Sequence, residues 1–154
     1  MSGEVYDVTA RKTHQWVMVA LIVAGFVLGA VVSGVVAAIP VALAGLIMLA
    51  GRFWWPADVV RQLVWRVLEP RGVLPRVERA EDHETRRIAR AIGGVVWLVS
   101  AALVASGVTV VGWVLALVIA AMVVLDASMD FCVLCFLFLQ LERRGLLPAA
   151  LRHT

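Results

Sequence analysis

The chain has 154 residues, of which 62% are apolar and only 16% are charged, and its formal net charge is +3. Because a soluble domain carries about 25% charged residues, the composition argues against a soluble globular protein. All 14 Lys and Arg residues lie outside two long charge-free runs. This distribution is typical of a membrane topology signal, so a nucleic-acid-binding surface is not predicted.

The charge-free runs cover residues 16–51 and 91–125 and predict four transmembrane helices. A single crossing needs about 20 apolar residues, so each run is too long for one helix and fits a helical hairpin. After a polar arm over residues 1–14, helices are expected at about 16–32, 35–50, 88–105 and 109–125. Since the first run continues directly into a second crossing, a cleavable signal peptide is not expected.

Two glycines in the first predicted helix, Gly25 and Gly29, have GxxxG spacing. Small residues at this spacing let helices approach closely in lipid. Packing within one chain is favoured over a dedicated dimer seam, and a homo-oligomer is left as an open alternative.

The basic residues cluster in the N-terminal arm, the connection between the two runs and the C-terminal tail. The two hairpin tips, Ser33-Gly34 and Ser106-Gly107, have no charge nearby. Cytoplasmic segments of membrane proteins are enriched in Lys and Arg. We therefore expect a multi-pass protein of the inner (plasma) membrane, embedded in the lipid bilayer, with both termini in the cytoplasm.

The connection between the runs contains two different segments. Pro56 to Leu68 has apolar residues at helical spacing, with Arg61 and Arg66 largely away from them, which predicts an amphipathic helix in the inner interface. Arg76 to Arg90 is strongly charged and predicts a short cytoplasmic helix. Its charges form either a solvated face or a docking surface for a soluble partner.

A shift of 73 residues superposes the two halves of the sequence without a gap. The segments LEPRGVLP (68–75) and LERRGLLP (141–148) then coincide, and this shared ending is too specific to result from apolar composition. We expect a single membrane domain over residues 1–154 with an internal repeat of residues 14–75 and 87–148. The predicted fold class is an all-α membrane protein: two tandem parallel-repeat helical hairpins, each followed by a short cytoplasmic-side interfacial helix.

The only two cysteines, Cys132 and Cys135, form a CxxC pair between the last apolar run and the basic tail. Asp130 is expected to cap a helix over about 131–141, which places Cys132 in the first turn. Because a helix N-terminus stabilises a thiolate, Cys132 is the predicted nucleophile and Cys135 the resolving thiol. Neighbouring phenylalanines and the acids Asp126 and Asp130 oppose a thiolate, while either acid is a candidate to accept or donate the proton.

Three functions are open for this pair. The leading hypothesis is a membrane-embedded thiol–disulfide or sulfur-relay component, which as an enzyme would be a thiol–disulfide oxidoreductase. A cytoplasmic dithiol suits a catalytic or carrier pair better than a structural disulfide. The alternatives are a carrier of soft metal or sulfur species, and a structural or assembly protein with inert cysteines.

Resident metals and cofactors are not predicted. A structural zinc site needs four ligands, and no histidine has ligand spacing to the cysteine pair. The sequence contains no quinone, haem or nucleotide motif.

The hydrophobic hairpins, the short charged middle and the late FCxxC, followed by a helix and a basic end, resemble a bacterial membrane family catalogued as domain of unknown function 4395. The resemblance covers nearly the whole chain, and its most specific piece is Asp130-Phe131-Cys132-Val133-Leu134-Cys135. Leu134 stands where members often have glycine. The resemblance implies a context beside thioredoxin-like and sulfurtransferase proteins, and by residue match only Cys132 and Cys135 carry over. The expected partner is a thioredoxin-like or sulfurtransferase protein on the cytoplasmic side, docking near the Arg-rich middle.

Overall fold

Among the residues that the structure describes, four helices are long and apolar enough to cross a membrane. The computed structural model describes residues 5–80 and 83–145. Its helices are α1 (Val8–Val31), α2 (Gly34–Phe53), α3 (Val59–Leu63), α4 (His83–Ala105), α5 (Thr109–Met129) and α6 (Val133–Arg143). The predicted all-α class is confirmed. The four long helices α1, α2, α4 and α5 indicate a lipid bilayer environment.

Short elements connect the long helices at one end of the bundle. A 3-10 turn (Trp55–Ala57) leads from α2 into α3, which continues as a turn of π helix over Val64–Leu68. A small antiparallel ribbon pairs β1 (Val5–Asp7) with β2 (Glu78–Ala80). The ribbon ties the segment before α1 to the central connection.

Small residues let the long helices pack closely. A Cβ atom at Gly25 of α1 would lie 2.9 Å from the carbonyl oxygen of Ala37 in α2, and one at Gly45 of α2 would lie 2.9 Å from that of Gly94 in α4. The fully buried side chains around these contacts include Met18, Ile22, Val41, Ala44, Trp97 and Ala116. The GxxxG pair therefore serves packing within the chain, as favoured from the sequence.

Replacing Gly45 with alanine is expected to destabilise the bundle by about 1–3 kcal/mol, because the new methyl group overpacks against α4. Its Cβ would lie 2.9 Å from the Gly94 carbonyl oxygen and 3.0 Å from Leu98 Cγ. Gly93→Ala is the matched control, since the nearest atom to its Cβ would be 3.7 Å away. Thermal unfolding in detergent should show a lower Tm for Gly45→Ala only, and equal Tm values would contradict the close α2–α4 contact.

The hairpin tips and the charged residues lie at opposite ends of the bundle. A Cβ at Gly34 would be 3.1 Å from the carbonyl oxygen of Val104, so the α1–α2 turn lies beside the end of α4. At the other end, Arg11 of α1 donates to Asp130, which follows α5, over 2.6 Å. The charged side chains of the long helices therefore gather at one end.

α1 begins at Val8, so the prediction of a polar arm through residue 14 is wrong. Asp7 caps this helix by accepting the backbone N–H groups of Thr9, at 2.9 Å, and of the residue after it. Aspartate is a preferred N-cap residue. The first two turns are polar, but the side chains of Arg11 and His14 point inward and are only 5% and 3% exposed.

The predicted apolar face of α3 is also partly wrong. Val59 and Leu63 are exposed, whereas Arg61 is buried. Arg61 turns inward because its Nε forms an ion pair with Asp58 Oδ2 at 3.2 Å. A buried acid partner thus overrides the hydrophobic pattern of this short helix.

The charged stretch 76–90 is not one helix. Glu78–Ala80 is extended because it pairs with β1, and α4 begins at His83. Residues 81–82, and residues 146–148 at the end of the second repeat unit, lie outside the described residues. The internal repeat stays a prediction, although Gly72 and Gly145, at matching positions, both have positive φ, 69° and 66°.

Candidate functional site

The CxxC pair lies at the turn between α5 and α6. Asp130 closes α5 as its C-cap in a left-handed conformation (φ 55°), and its backbone N–H donates to the Asp126 carbonyl oxygen at 3.1 Å. The N-cap of α6 is Cys132, so the prediction that Asp130 caps this helix is wrong. Aspartate is one of the few residues that tolerate the left-handed region, which explains why it suits the end of α5.

Cys132 and Cys135 meet across the first turn of α6. Their sulfur atoms are at disulfide-bonding distance and their Cα atoms are 5.2 Å apart, within the range that a disulfide requires. Cys132 Sγ also accepts the backbone N–H of Cys135 at 3.3 Å. This amide is one of those that a helix N-terminus leaves without an internal partner. The Cys132 sulfur therefore sits at the positive end of the α6 dipole.

The Asp130 carboxylate ties the CxxC turn to α1. Its Oδ1 accepts from Arg11 at 2.6 Å and its Oδ2 from Lys12 at 3.1 Å. Partial burial opposes ionisation, but the hydrogen bonds from Lys12 and Arg11 outweigh it and lower the pKa of Asp130. Asp130 is therefore a charged anchor of the turn at neutral pH.

Asp126, one turn earlier on α5, belongs to the same network. Its Oδ1 accepts from Arg86 at 2.9 Å and lies 3.5 Å from Arg11 NH1, while its Oδ2 accepts from Gln15. Arg86 also donates to the Asp130 carbonyl oxygen at 3.4 Å. Side chains from α1 and α4 thus converge on a single carboxylate of α5 beside the CxxC turn.

A third carboxylate, Asp58, is buried within the charged end, with its side chain 3% exposed. Its Oδ2 lies 2.7 Å from Arg90 NH2 and 3.2 Å from Arg61 Nε, and its Oδ1 lies 3.1 Å from His14 Nδ1. Burial opposes ionisation, but the interactions with His14 and Arg90 outweigh it and lower the pKa of Asp58 to about 2. Asp58 therefore stays ionised throughout the physiological range.

The contacts of His14 define its tautomer. Arg90 NH2 lies 3.1 Å from His14 Nε2, and because a guanidinium only donates, Nε2 is the acceptor. Nδ1 then carries the proton and faces Asp58.

Burial, together with repulsion by Arg90, lowers the pKa of Arg61 to about 9, so Arg61 is still a cation at neutral pH.

A cavity of about 420 Å³ is lined by both this charged network and the CxxC turn. Six arginines from α1 to α4 line it: Arg11, Arg52, Arg61, Arg86, Arg87 and Arg90. Asp126 and Cys132 also line it, whereas Cys135 and Asp130 do not. Its apolar part includes Met48, Phe53, Met122 and Val123. Two of the four predicted site residues therefore share one cavity, which has a net positive lining.

A family model described as Domain of unknown function (DUF4395) matches residues 6–143. The chain belongs to this family. The match extends from β1 to the end of α6 and includes the whole charged network and the CxxC pair. The resemblance indicated by the late FCxxC motif is therefore confirmed. No curated protein and no solved structure matches the chain.

Most residues of the charged network in this DUF4395 protein were not predicted from the sequence. Arg86 and Arg90 were expected on a solvated or docking face, and His14 in a polar arm. The i, i+4 spacing of Arg86 and Arg90, immediately before a charge-free run, is a usable signal, because it places both cations on one helix face at the membrane boundary. Arg11 and Gln15 have the same spacing before the first run.

Proposed function

We propose that this DUF4395 protein is a membrane-embedded thiol–disulfide or sulfur-relay component, with Cys132 and Cys135 as the reacting pair. One observation carries the proposal. Cys132 lines an arginine-rich cavity at the polar end of the bundle, and its sulfur is at bonding distance from Cys135. Positive charge and a helix N-terminus both favour a thiolate, which is the reactive form of cysteine.

The exchange begins when a partner thiolate attacks Cys132 Sγ. The Cys132–Cys135 bond breaks, a mixed disulfide between Cys132 and the partner forms, and Cys135 leaves as a thiolate. A second thiolate of the partner then attacks the partner's sulfur in the mixed disulfide, which releases an oxidised partner and a Cys132 thiolate. Two electrons have moved from the partner to the pair, and the reverse sequence reduces a partner.

Asp126 is the acid that we assign to proton transfer at Cys132, because both residues line the same cavity. Asp130 is assigned a positioning role, because it does not line the cavity and its ion pairs with Arg11 and Lys12 hold the CxxC turn against α1. Of the two acids that the sequence left open for proton transfer, this assignment selects Asp126.

The distribution of Lys and Arg supports a cytoplasmic location for the cavity end, in the inner membrane, with both termini on that side. A thioredoxin-like or sulfurtransferase protein is the proposed partner. Arg86 and Arg90 point into the network, so the exposed arginines of the central connection, Arg76 and Arg79, are the better docking candidates. Their side chains are each 60% exposed.

The soft-metal alternative has less support than the redox proposal. Within residues 5–80 and 83–145, no group of three or more His, Cys, Asp or Glu side chains is placed to hold a metal ion.

The redox state of the pair in native membranes tests the proposal. Mass-tagged alkylation across a series of thiol–disulfide buffers should show Cys132 and Cys135 cycling reversibly as a two-electron couple, near the thioredoxin potential of about −270 mV. A double Cys132→Ser, Cys135→Ser variant gives the labelling background. Thiols that neither oxidise nor react would overturn the proposal and favour the alternative of a structural or assembly protein with inert cysteines. Full exchange by the Cys132→Ser variant would also overturn it.

A further inference from the structure

The cavity beside Cys132 is lined by six arginines and by one carboxylate, Asp126. Asp126 pairs with Arg11 and Arg86, and Asp58 pairs with Arg61 and Arg90. Each of these two carboxylates thus faces two guanidinium groups. Arg11 is shared, since it also pairs with Asp130, but the side chains that line the cavity still carry a net positive charge.

Two further arginines, Arg52 and Arg87, line the cavity without an acidic partner among the side chains that the structure describes. Arg52 follows the apolar part of α2, and its guanidinium lies 5.7 Å from the Phe53 ring centroid. Arg87 is exposed next to Arg86 at the start of α4. Because neither cation is neutralised there, both are available to an incoming anion.

The cavity also has the size and lining of a small-molecule site. Its volume of about 420 Å³ is within the range of about 300–1,000 Å³ that such sites occupy. Apolar side chains such as Met48, Phe53 and Met122 line the same cavity as the arginines and suit a ligand with an aliphatic part. A compound of low molecular mass therefore fits beside Cys132.

We infer that the cavity binds a small anionic sulfur compound, with its negative group at Arg52 and Arg87 and its sulfur at Cys132. The inference rests on the proposed function, because it takes its sulfur chemistry from Cys132. It identifies the substrate as a small anionic thiol, whose thiolate attacks Cys132 Sγ while Cys135 leaves as a thiolate. A second molecule of the thiolate attacks the compound's sulfur in this mixed disulfide, which releases the oxidised compound as its disulfide together with a Cys132 thiolate. The disulfide form of the protein partner then reoxidises the pair by the reverse of the exchange described above. An anionic phospholipid head group offers the arginines the same charge, so the test separates the two sources.

Charge-selective modification of Cys132 tests the inference. In the Cys135→Ser background, the Cys132 thiolate attacks a methanethiosulfonate probe, which forms a mixed disulfide and releases methanesulfinate. The anionic 2-sulfonatoethyl probe and the cationic 2-trimethylammonioethyl probe are compared, each normalised to its rate with free 2-mercaptoethanol. We expect the normalised anionic-to-cationic rate ratio to be about ten, because two unneutralised cations line the same cavity as Cys132 and attract the anionic probe.

Arg52→Gln together with Arg87→Gln should lower this ratio by about fivefold to tenfold. Arg66→Gln with Arg71→Gln is the matched control, since it removes the same total charge from exposed positions that do not line the cavity. A ratio that falls equally in both double variants would mean that only the overall charge matters, and would overturn the inference. Unaltered selectivity in the Arg52/Arg87 variant would do the same.

Lipid composition separates the two sources of negative charge. The selectivity should persist in nanodiscs that contain phosphatidylglycerol as well as in nanodiscs of phosphatidylcholine alone. Loss of selectivity with phosphatidylglycerol would assign the arginines to a lipid head group and overturn the sulfur-compound assignment. Equal rates for both probes, combined with a pair that still cycles in redox buffers, would remove this inference and leave the proposed function standing. A pair that is inert in both experiments would remove both.

Discussion

Replacing Cys135 with serine is expected to trap a mixed disulfide on Cys132. The wild-type pair resolves such an adduct within the molecule, because the Cys135 sulfur lies at bonding distance from Cys132 Sγ. Serine cannot perform this attack, so an adduct with an oxidised partner or a small disulfide should accumulate to nearly one per protein. Intact-protein mass spectrometry after quenching with acid measures it.

The reciprocal variant, Cys132→Ser, supplies the matched control. Cys135 does not line the cavity and therefore should form adducts at least about tenfold more slowly, since access limits thiol exchange. Equal adduct formation in the two variants would contradict the roles assigned to the pair. Faster adduct formation at Cys135 would reverse them.

The fold was predictable from the sequence because bilayer thickness links helix length to hydropathy. The charge-free runs 16–51 and 91–125 correspond to two hairpins, whose long helices extend beyond these runs at the polar end. These extensions could not be placed by hydropathy. Residues 8–15 of α1 and the first turns of α4 are helical and polar, because their cations meet acids that are distant in sequence.

Of the candidate site, the residues that are close together in the sequence were predictable and their distant partners were not. The cysteine pair is visible as a local motif, and the acids Asp126 and Asp130 lie within a few residues of it. The partners of those acids are far away, since Arg11 is 119 residues from Asp130 and Arg86 is 40 residues from Asp126. No local pattern encodes such pairings. The prediction that Asp130 caps α6 is wrong for another reason. Aspartate is compatible both with the start of a helix and with a left-handed residue at the end of one.

Asp58 is the residue whose replacement should most reduce stability. Asp58→Asn removes the negative charge that faces Arg61, Arg90 and His14, and it turns an amide donor toward groups that also donate. Breaking a buried ion pair by removing one partner costs about 3–5 kcal/mol, because the other charges stay buried without compensation. Thermal or chemical unfolding in detergent should report a loss of this size.

Glu78→Gln is the matched control for Asp58→Asn. Glu78 forms an ion pair with Arg76 at 2.8 Å, a distance similar to that between Asp58 and Arg90. The Glu78 and Arg76 side chains, however, are 48% and 60% exposed. Exposed ion pairs contribute about 0–1 kcal/mol, so the free energy of unfolding of this variant should be close to that of the wild type. A similar loss in both variants would show that burial does not set the energetic role of Asp58.

The pH dependence gives Asp58 a second signature. Because the pKa of Asp58 falls from 3.8 to about 2 in the folded protein, its ionisation contributes about 2 kcal/mol of stability at pH values well above 3.8. That contribution is lost as the pH falls through the folded-state pKa, since both states are then protonated. The stability difference between wild type and Asp58→Asn should therefore be constant from pH 8 to about pH 5 and shrink below about pH 4. A difference that instead changed between pH 6 and pH 8 would show that His14, and not the Asp58 carboxylate, dominates the pH dependence, and would contradict this prediction.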